Sequence, residues 1–431
     1  MKNLNLLTIL AAVFVLSSCA KDNCTTRMTY TKYEPVYKSY NDIRQPISVG
    51  SARAIKNPGK IYLYHNYILI NEQLEGLHVI DNNDPANPQN IAFINIQGNL
   101  DMSMKGNILY ADSYVDLLTI DMTNPMAAAI VDRDNDVFPH YGEDENGLLC
   151  VAYRSSEVTE DVVCGQNVGG WGNPGMMERD QPIAMAQTGG NTASAGSGSG
   201  AGRSGDASVG TGGSMARFTI NGDYLYTVSS SDLHIFNIGN LLNPIEQGTV
   251  NVGWAAVETI FPYQNNLFIG SNAGMFIYDV SVPSSPQFVS EFSHATACDP
   301  VYVSGNRAYV TLRGGSTCEN FNNQLDVIDI SNINSPRLVK THPMFNPHGL
   351  SIKDGKLYLC DGAEGLKVFD ATNDMQIGNN LLASDNSITT FDVIANPYRD
   401  LLLVIGKDGF FQYDISNPAA MTRISSIPVE K

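Results

Sequence analysis

A short apolar strand that ends in Asp or Asn and runs into a polar, usually Pro-containing turn is written seven times along this chain. The copies are LHVIDNNDP (77–85), LLTIDMTNP (117–125), LHIFNIGN (233–240), MFIYDVSVP (275–283), LDVIDISN (325–332), LKVFDATN (366–373) and FFQYDISNP (410–418). Such a repeat constrains the fold more than any single residue, because each unit must complete its core against its neighbours. Asp81 and Asp121 lie 40 residues apart, and Asn237, Asp279, Asp329, Asp370 and Asp414 are separated by 42, 50, 41 and 44. These intervals suit a four-stranded propeller blade, and no long 3.6-period face points to a helical solenoid.

Four strands are legible within one period: PVYVSG (300–305), RAYVTL (307–312), LDVIDI (325–330) and PRLVKT (336–341). Tight turns join the first two, as at Gly106-Asn107, Gly222-Asp223, Gly305-Asn306 and Gly355-Lys356. The fold class is therefore all-β, a propeller of four-stranded blades. Counting first hairpins gives eight, the odd one being FPHYGEDENGLLCVAYR (138–154), whose later strands are replaced by an insertion. Eight blades fit slightly better than the alternative of seven. Ring closure predicts that residues 421–428 lie beside the blade starting near Lys60.

The insertion, at about 165–214, ends in a stretch (188–214) where Gly and Ser fill 16 of 27 positions. That composition predicts a flexible segment, since it offers little surface to bury against the entropy of ordering. Residues 46–431 otherwise read as a single propeller domain. Apolar residues at 43% and charged residues at 16% supply its core. With 26 Lys and Arg against 44 Asp and Glu, a formal charge of −18 disfavours nucleic acid as a partner.

Residues 1–18 combine Lys2, an apolar run from Leu6 to Leu16 and the pair Ser17-Ser18 before Cys19, the plan of an export signal. The tetrad Leu16-Ser17-Ser18-Cys19 resembles the lipobox of bacterial lipoproteins, which implies lipidation of Cys19, with palmitate among the acyl groups, and attachment to the membrane. Residues 19–45 then read as a lipid-anchored tether. The implied location is the outer membrane, on its periplasmic or its surface-exposed face. Export also turns the cysteines into disulfide candidates, Cys150 with Cys164 and Cys298 with Cys318, each closing a loop for about 2 to 4 kcal/mol. Cys360, in KLYLC, reads as a buried apolar residue, and Cys24 has no obvious partner.

The signature G-L-x-h-h-D-h-S-x-P (h, apolar), as in EGLHVIDNNDP and GMFIYDVSVP, resembles the LVIVD-repeat β-propeller family of exported bacterial proteins from about residue 50 to 431. The resemblance specifies fold and leaves function open, because propellers host enzymes, receptors and scaffolds alike. Two copies depart from the pattern: LKVFDATND lacks the Pro and LHIFNIGN replaces the Asp.

The repeated Asp ends a strand, so its carboxylate is expected to accept N–H bonds from the following turn, a role that Asn237 can also fill. Candidate binding residues are those at the starts of innermost strands, which converge on one mouth of the channel: Lys60, Asp101, Arg217, Glu258, Asp299, His348, and Asp392 or Thr390. A polar-ligand pocket built from separate blades needs such a mixed set, whereas a solvated channel would let these groups satisfy one another. His294, His342 and His348 with Asp299 show no metal-ligand spacing. In 132–143, Asp132, Asp134, Asp136 and Glu143 superficially match a calcium loop, but Val137 replaces the turn Gly and Pro139 intrudes. No cofactor is predicted beyond that calcium possibility. No nucleophile elbow or P-loop is present. The chain reads as a non-catalytic envelope lipoprotein, a binding or assembly module for a protein or glycan partner. The alternatives are an extracytoplasmic hydrolase or lyase using the channel mouth, with or without a metal, and a purely structural envelope component.

Overall fold

A computed structural model of the chain describes residues 25–163, 209–253, 257–293, 300–314 and 323–430. Each signature copy forms the third strand of one antiparallel sheet, and seven such sheets make the ring. Blade 1 comprises Pro58–Tyr64, Tyr67–Glu72, Gly76–Asp81 and Gln89–Asn95. Blade 2 comprises Met102–Lys105, Ile108–Ser113, Asp116–Asp121 and Ala129–Asp134. Blades 3 to 7 begin at Phe218, Val257, Val301, Leu350 and Thr390, and their fourth strands end at Asn251, Ser293, Pro343, Asp385 and Pro428. Ser48–Ser51 adds a strand to the outer edge of blade 1 and Thr211–Gly212 adds one to its inner edge.

Seven blades replace the eight counted from hairpins. The odd hairpin does turn, with Tyr141 N–H donating to Cys150 O and Cys150 N–H to Gly142 O, both at 2.8 Å. It builds no blade. Leu149–Val163 pairs instead with Thr25–Lys38, in a two-stranded sheet whose residues 25–34 and 154–163 belong to a compact unit of their own. Within the larger unit Leu149 and Val151 pack with Val115 and Ile43. The physical reason is that this hairpin lacks the third-strand signature and its turn, so no outer strands complete a sheet. Residues 25–45, expected in a tether, thus include a strand and a one-turn helix, Tyr40–Ile43.

The ring closes where the sequence predicts. Val429 bridges Ile55, Glu430 N–H donates to Ile55 O at 2.8 Å, and Ile61, Leu63, Ile68 and Ile70 of blade 1 share one core with Leu401, Leu403, Ile405 and Phe410 of blade 7. Face-to-face packing does this work, with each large buried side chain contributing about 1.5–3 kcal/mol. The third strand lies tight against the fourth at its first residue. A Cβ on Gly76 would sit 2.0 Å from Ile94 O, and one on Gly409 2.3 Å from Ile427 O, at φ of 138° and 142°. The signature Gly is therefore a steric requirement.

The turns after the third strands also form as expected. The side chains of Asp81, Asp121, Asn237, Asp279, Asp329, Asp370 and Asp414 each accept the backbone N–H two residues on, at 2.6 to 3.0 Å. Hydrogen bonds from Thr372 and Lys356 hold Asp370 down at about 2. Residues 1–24, Cys19 and Cys24 among them, lie outside the described residues, as do 164–208 of the insertion.

Candidate functional site

The innermost strands of blades 1, 2, 3 and 7 bring four of the predicted residues to one end of the channel. Asp101 Oδ2 accepts from Lys60 Nζ and from the backbone N–H of Arg217, both at 2.5 Å, and its Oδ1 accepts the N–H of Met102 at 2.7 Å. Behind it Asp112 Oδ1 accepts the N–H groups of Leu100 and Asp101 at 2.7 and 3.0 Å, and Asn99 Nδ2 at 2.8 Å. Burial pushes Asp112 up to about 6 despite those donors.

Asp392 is the least satisfied member. Its Oδ1 accepts the Val393 N–H at 2.9 Å, while Oδ2 is buried with no hydrogen bond of ordinary geometry. Burial raises it to about 7, against the pull of the Val393 N–H and of Lys60. His348 lies in the adjoining blade. Burial and then the nearby Arg313 push it down to about 3, so it is neutral, and Nδ1 accepts from Arg313 at 2.7 Å. Its own peptide is tied by Thr311 Oγ1 and by Cys360 O, both at 2.7 Å.

Residues 209–216 run through this arrangement. Thr211 and Gly212 pair antiparallel with Leu63 and Tyr62 on the inner edge of blade 1. Before them Val209 bridges Lys105 and the Gly210 N–H donates to Met104 O at 3.1 Å, both in blade 2. After them Ser214 Oγ accepts the Leu350 N–H of blade 6 at 2.8 Å, and Ala216 O accepts the Ile260 N–H of blade 4 at 2.9 Å. The glycines are where backbone approach leaves no room for a side chain: a Cβ would lie 2.2 Å from the Tyr62 ring at Gly210, and 1.8 Å from Asp392 Oδ2 at Gly213. The segment expected to end a flexible spacer is, from Val209 to Ser214, a strand and turn along the channel wall.

Asp101, Asp392, His348 and Thr390 are buried, and Thr390 Oγ1 is turned to Gly365 O at 3.0 Å. Glu258 is the second residue of the inner strand of blade 4 and is half-buried; Asp299 lies outside the described residues. A small cavity of about 60 Å³ remains between blades 2 and 3 at this end, lined in part by Asp101, Asp112, Tyr141 and Arg217. It has room for water and little more. Sequence reasoning missed Asp112 and the channel segment. The only signal for the latter was Val209 and Thr211, β-branched residues at alternate positions among the glycines just before Arg217.

The remaining candidates sit apart from this end. Asp136, at φ of 56°, pairs with Arg44 at 3.0 Å, Asp132 accepts the Arg133 N–H at 2.9 Å, and Val137 packs into the core between blades 2 and 3. Burial and the neighbouring Asp132 raise Asp134 to about 6. Among the described residues no three His, Cys, Asp or Glu side chains gather as a metal site would need, the set with Glu143 included. Cys150 and Cys360 are buried free thiols. Cys164, Cys298, Cys318 and His294 lie outside the described residues. His342 is structural, its Nε2 at 2.8 Å from Asp374 O and its Nδ1 accepting the Gly378 N–H at 3.3 Å.

The LVIVD repeat family matches residues 212–252, 260–293 and 296–342, which span blades 3, 4 and 5 and carry the same third strand, turn closed by Asp or Asn, and outer strand seen in all seven. This chain is an LVIVD-repeat β-propeller. The LVIVD-repeat ring is similar to a crystal structure of a protein from Lactobacillus plantarum at 11% identity and a TM-score of 0.51, covering 86% of this chain and 96% of that one. It is also similar to a functionally unknown protein from Desulfotomaculum acetoxidans at 11% identity and a TM-score of 0.46, covering 86% and 95%. The first likeness concerns the fold alone. A comparison with curated proteins found no match.

Proposed function

We propose that this LVIVD-repeat propeller is a non-catalytic lipoprotein of the cell envelope, held at the outer membrane by a lipid on Cys19 and acting as a binding or assembly module for a protein or glycan partner. The observation that carries the reading is the occupation of the channel by the chain's own residues 209–216, which pair with blade 1 and touch blades 2, 4 and 6. Lys60, Asp101 and His348 at the mouth are tied up in internal bonds and Asp392 is buried, so a macromolecular partner has the rims and faces of the ring to recognise. The lipobox-like Leu16-Ser17-Ser18-Cys19 supports the anchor.

The test is metabolic labelling with an alkyne palmitate in a host that exports and acylates the chain, comparing wild type with Cys19→Ser. Loss of label and release of the variant from the membrane fraction are expected. An unlabelled, soluble wild-type protein would remove the anchor from the proposal. Crosslinking in intact cells should then recover the same partner from wild type and from His348→Ala, because His348 is buried; loss of the partner on that change would return the channel mouth to the role of binding site.

A further inference from the structure

One position recurs at every junction between blades. The second-strand residue paired with the residue two before the repeated Asp or Asn is Leu69 in blade 1, Tyr110 in blade 2, Tyr226, Phe268, Tyr309 and Tyr358 in blades 3 to 6, and Leu403 in blade 7. It faces the following blade. In blades 2 and 3 the ring fills the gap and its hydroxyl reaches the carbonyl four residues after the repeat position: Tyr110 Oη donates to Leu241 O at 2.9 Å and Tyr226 Oη to Pro283 O at 2.8 Å. The fold therefore builds an aromatic slot with an acceptor at its end and fills it with its own tyrosine.

Two junctions have Leu instead, and they differ. At blade 7 the space beside Leu403 is taken by the Gln412 amide, which donates to Asn82 Oδ1 at 2.8 Å and to Pro85 O at 3.0 Å, with Ser425 Oγ also on Pro85 O at 2.7 Å. At blade 1 the residue paired with Leu69 is Val79, and a cavity of about 190 Å³ opens between Tyr67, Leu69 and Val79 on one side and Met104, Met122 and Pro125 of blade 2 on the other. Pro125 is four residues after Asp121, so its carbonyl corresponds to those that receive the tyrosine hydroxyls in the next two junctions. The lining also includes His65, Asn66, Asn83, Asn107 and Thr123, so apolar walls are joined by several polar groups, a composition compatible with a small-molecule site.

We infer that the blade 1 to blade 2 junction is a binding site for a small molecule carrying a single phenol ring, which takes the place of the missing tyrosine, its ring against Leu69 and Met122 and its hydroxyl on Pro125 O. The inference is independent of the partner and anchor proposed above, and the chain supplies its own control in the filled slots.

The full chain is titrated with p-cresol by calorimetry, beside Leu69→Tyr and Tyr110→Leu. Wild type should bind at one saturable site. Leu69→Tyr, which writes the tyrosine of blades 2 and 3 into blade 1, should weaken binding at least about 10-fold and raise the melting temperature, as cavity filling does. Tyr110→Leu opens a second slot of the same design and should raise the stoichiometry to two, an outcome that does not depend on the first variant folding. Toluene should bind about 5-fold more weakly than p-cresol, the effect of one hydrogen bond. No saturable binding to wild type, or undiminished binding by a folded Leu69→Tyr, would overturn the site; equal binding of toluene would remove Pro125 O from it.

Discussion

The turns that follow the third strands and the segment threading the channel both tie up backbone polar groups with short polar side chains and glycine, but they do so on opposite terms. Each turn is closed by a residue two positions away, is exposed to solvent, and is made seven times over. The channel segment 209–216 is single, half-buried along most of its length with Ser214 and Ala216 fully buried, and closed by residues from blades 1, 2, 4 and 6 that lie far off in sequence. A local device repeated seven times tolerates loss of one copy. A unique device held by distant residues does not, and the difference orders the expected effects of mutation.

The largest effect is expected at Asp101. Asp101→Ala leaves Lys60 in a largely buried place without its partner and strips the Arg217 N–H of its acceptor. Removing one partner of a buried pair costs about 3–5 kcal/mol. Urea denaturation should show that loss as a lower midpoint. If the midpoint stays within error of wild type, the mouth is a solvated surface and the contrast with the rim fails.

Gly213→Val comes next. Its Cβ would lie 1.8 Å from Asp392 Oδ2, so the segment must shift away from blade 7. Overpacking of this kind costs about 1–3 kcal/mol. The same substitution at Gly222, a rim hairpin with nothing within 4 Å of a Cβ, meets no such wall, although its φ of 59° still disfavours valine. Limited proteolysis of Gly213→Val should cut near residue 209 faster than in wild type; unchanged protection would mean that the segment is not seated against Asp392.

What was legible in the sequence divides along the same line. The repeat specified the blade, its Asp turn and the closure of the ring, because each is a local pattern written several times; even the Asn237 copy closes its turn as the acidic ones do. The blade count went astray because a hairpin can be read without the outer strands that make it a blade, and 138–154 has only the hairpin. The starts of the inner strands were found at Lys60, Asp101, Arg217 and Asp392, since register follows from the repeat. The burial of Asp101 and Asp392 was not, because the residues beside them come from the end of a Gly-rich stretch. Composition reads such glycines as slack, whereas Gly210 and Gly213 are there because Tyr62 and Asp392 leave no space.

The pH dependence sharpens the comparison further. Burial holds Asp392 at about 7, well above an unfolded aspartate, so the native state retains a proton that the unfolded chain gives up. The stability from that proton is complete below about pH 4 and is lost as pH rises toward 7 and above it. Asp112, raised to about 6, acts in the same sense. At the rim Asp370 acts oppositely and in a lower window: held near 2, it contributes stability above pH 4 that is lost as pH falls toward 2. Asp392→Asn should therefore flatten the decline of stability between pH 4 and 7.5 and leave the acid limb below pH 4 unchanged, as followed by urea midpoints across that range. A slope identical to wild type would show that Asp392 is ionised in the folded ring.

The smallest effect tests the rim itself. Asn237 Oδ1 accepts the Gly239 N–H at 2.8 Å, and the blade 3 strand ends there as the Asp strands end elsewhere. If the repeated side chain serves as an acceptor for its own turn, Asn237→Ala should lose one hydrogen bond, about 1 kcal/mol, and Asn237→Asp should fall within about 0.5 kcal/mol of wild type because the acceptor is kept. A loss in Asn237→Asp as large as that in Asn237→Ala would mean that keeping the acceptor is not enough at this position, and the six repeated Asp residues and Asn237 could then not be described as seven equivalent local turns. The expected ranking, Ala below Asp and Asp level with Asn, is what a local device predicts and what the channel residues, each held by a different blade, could not show.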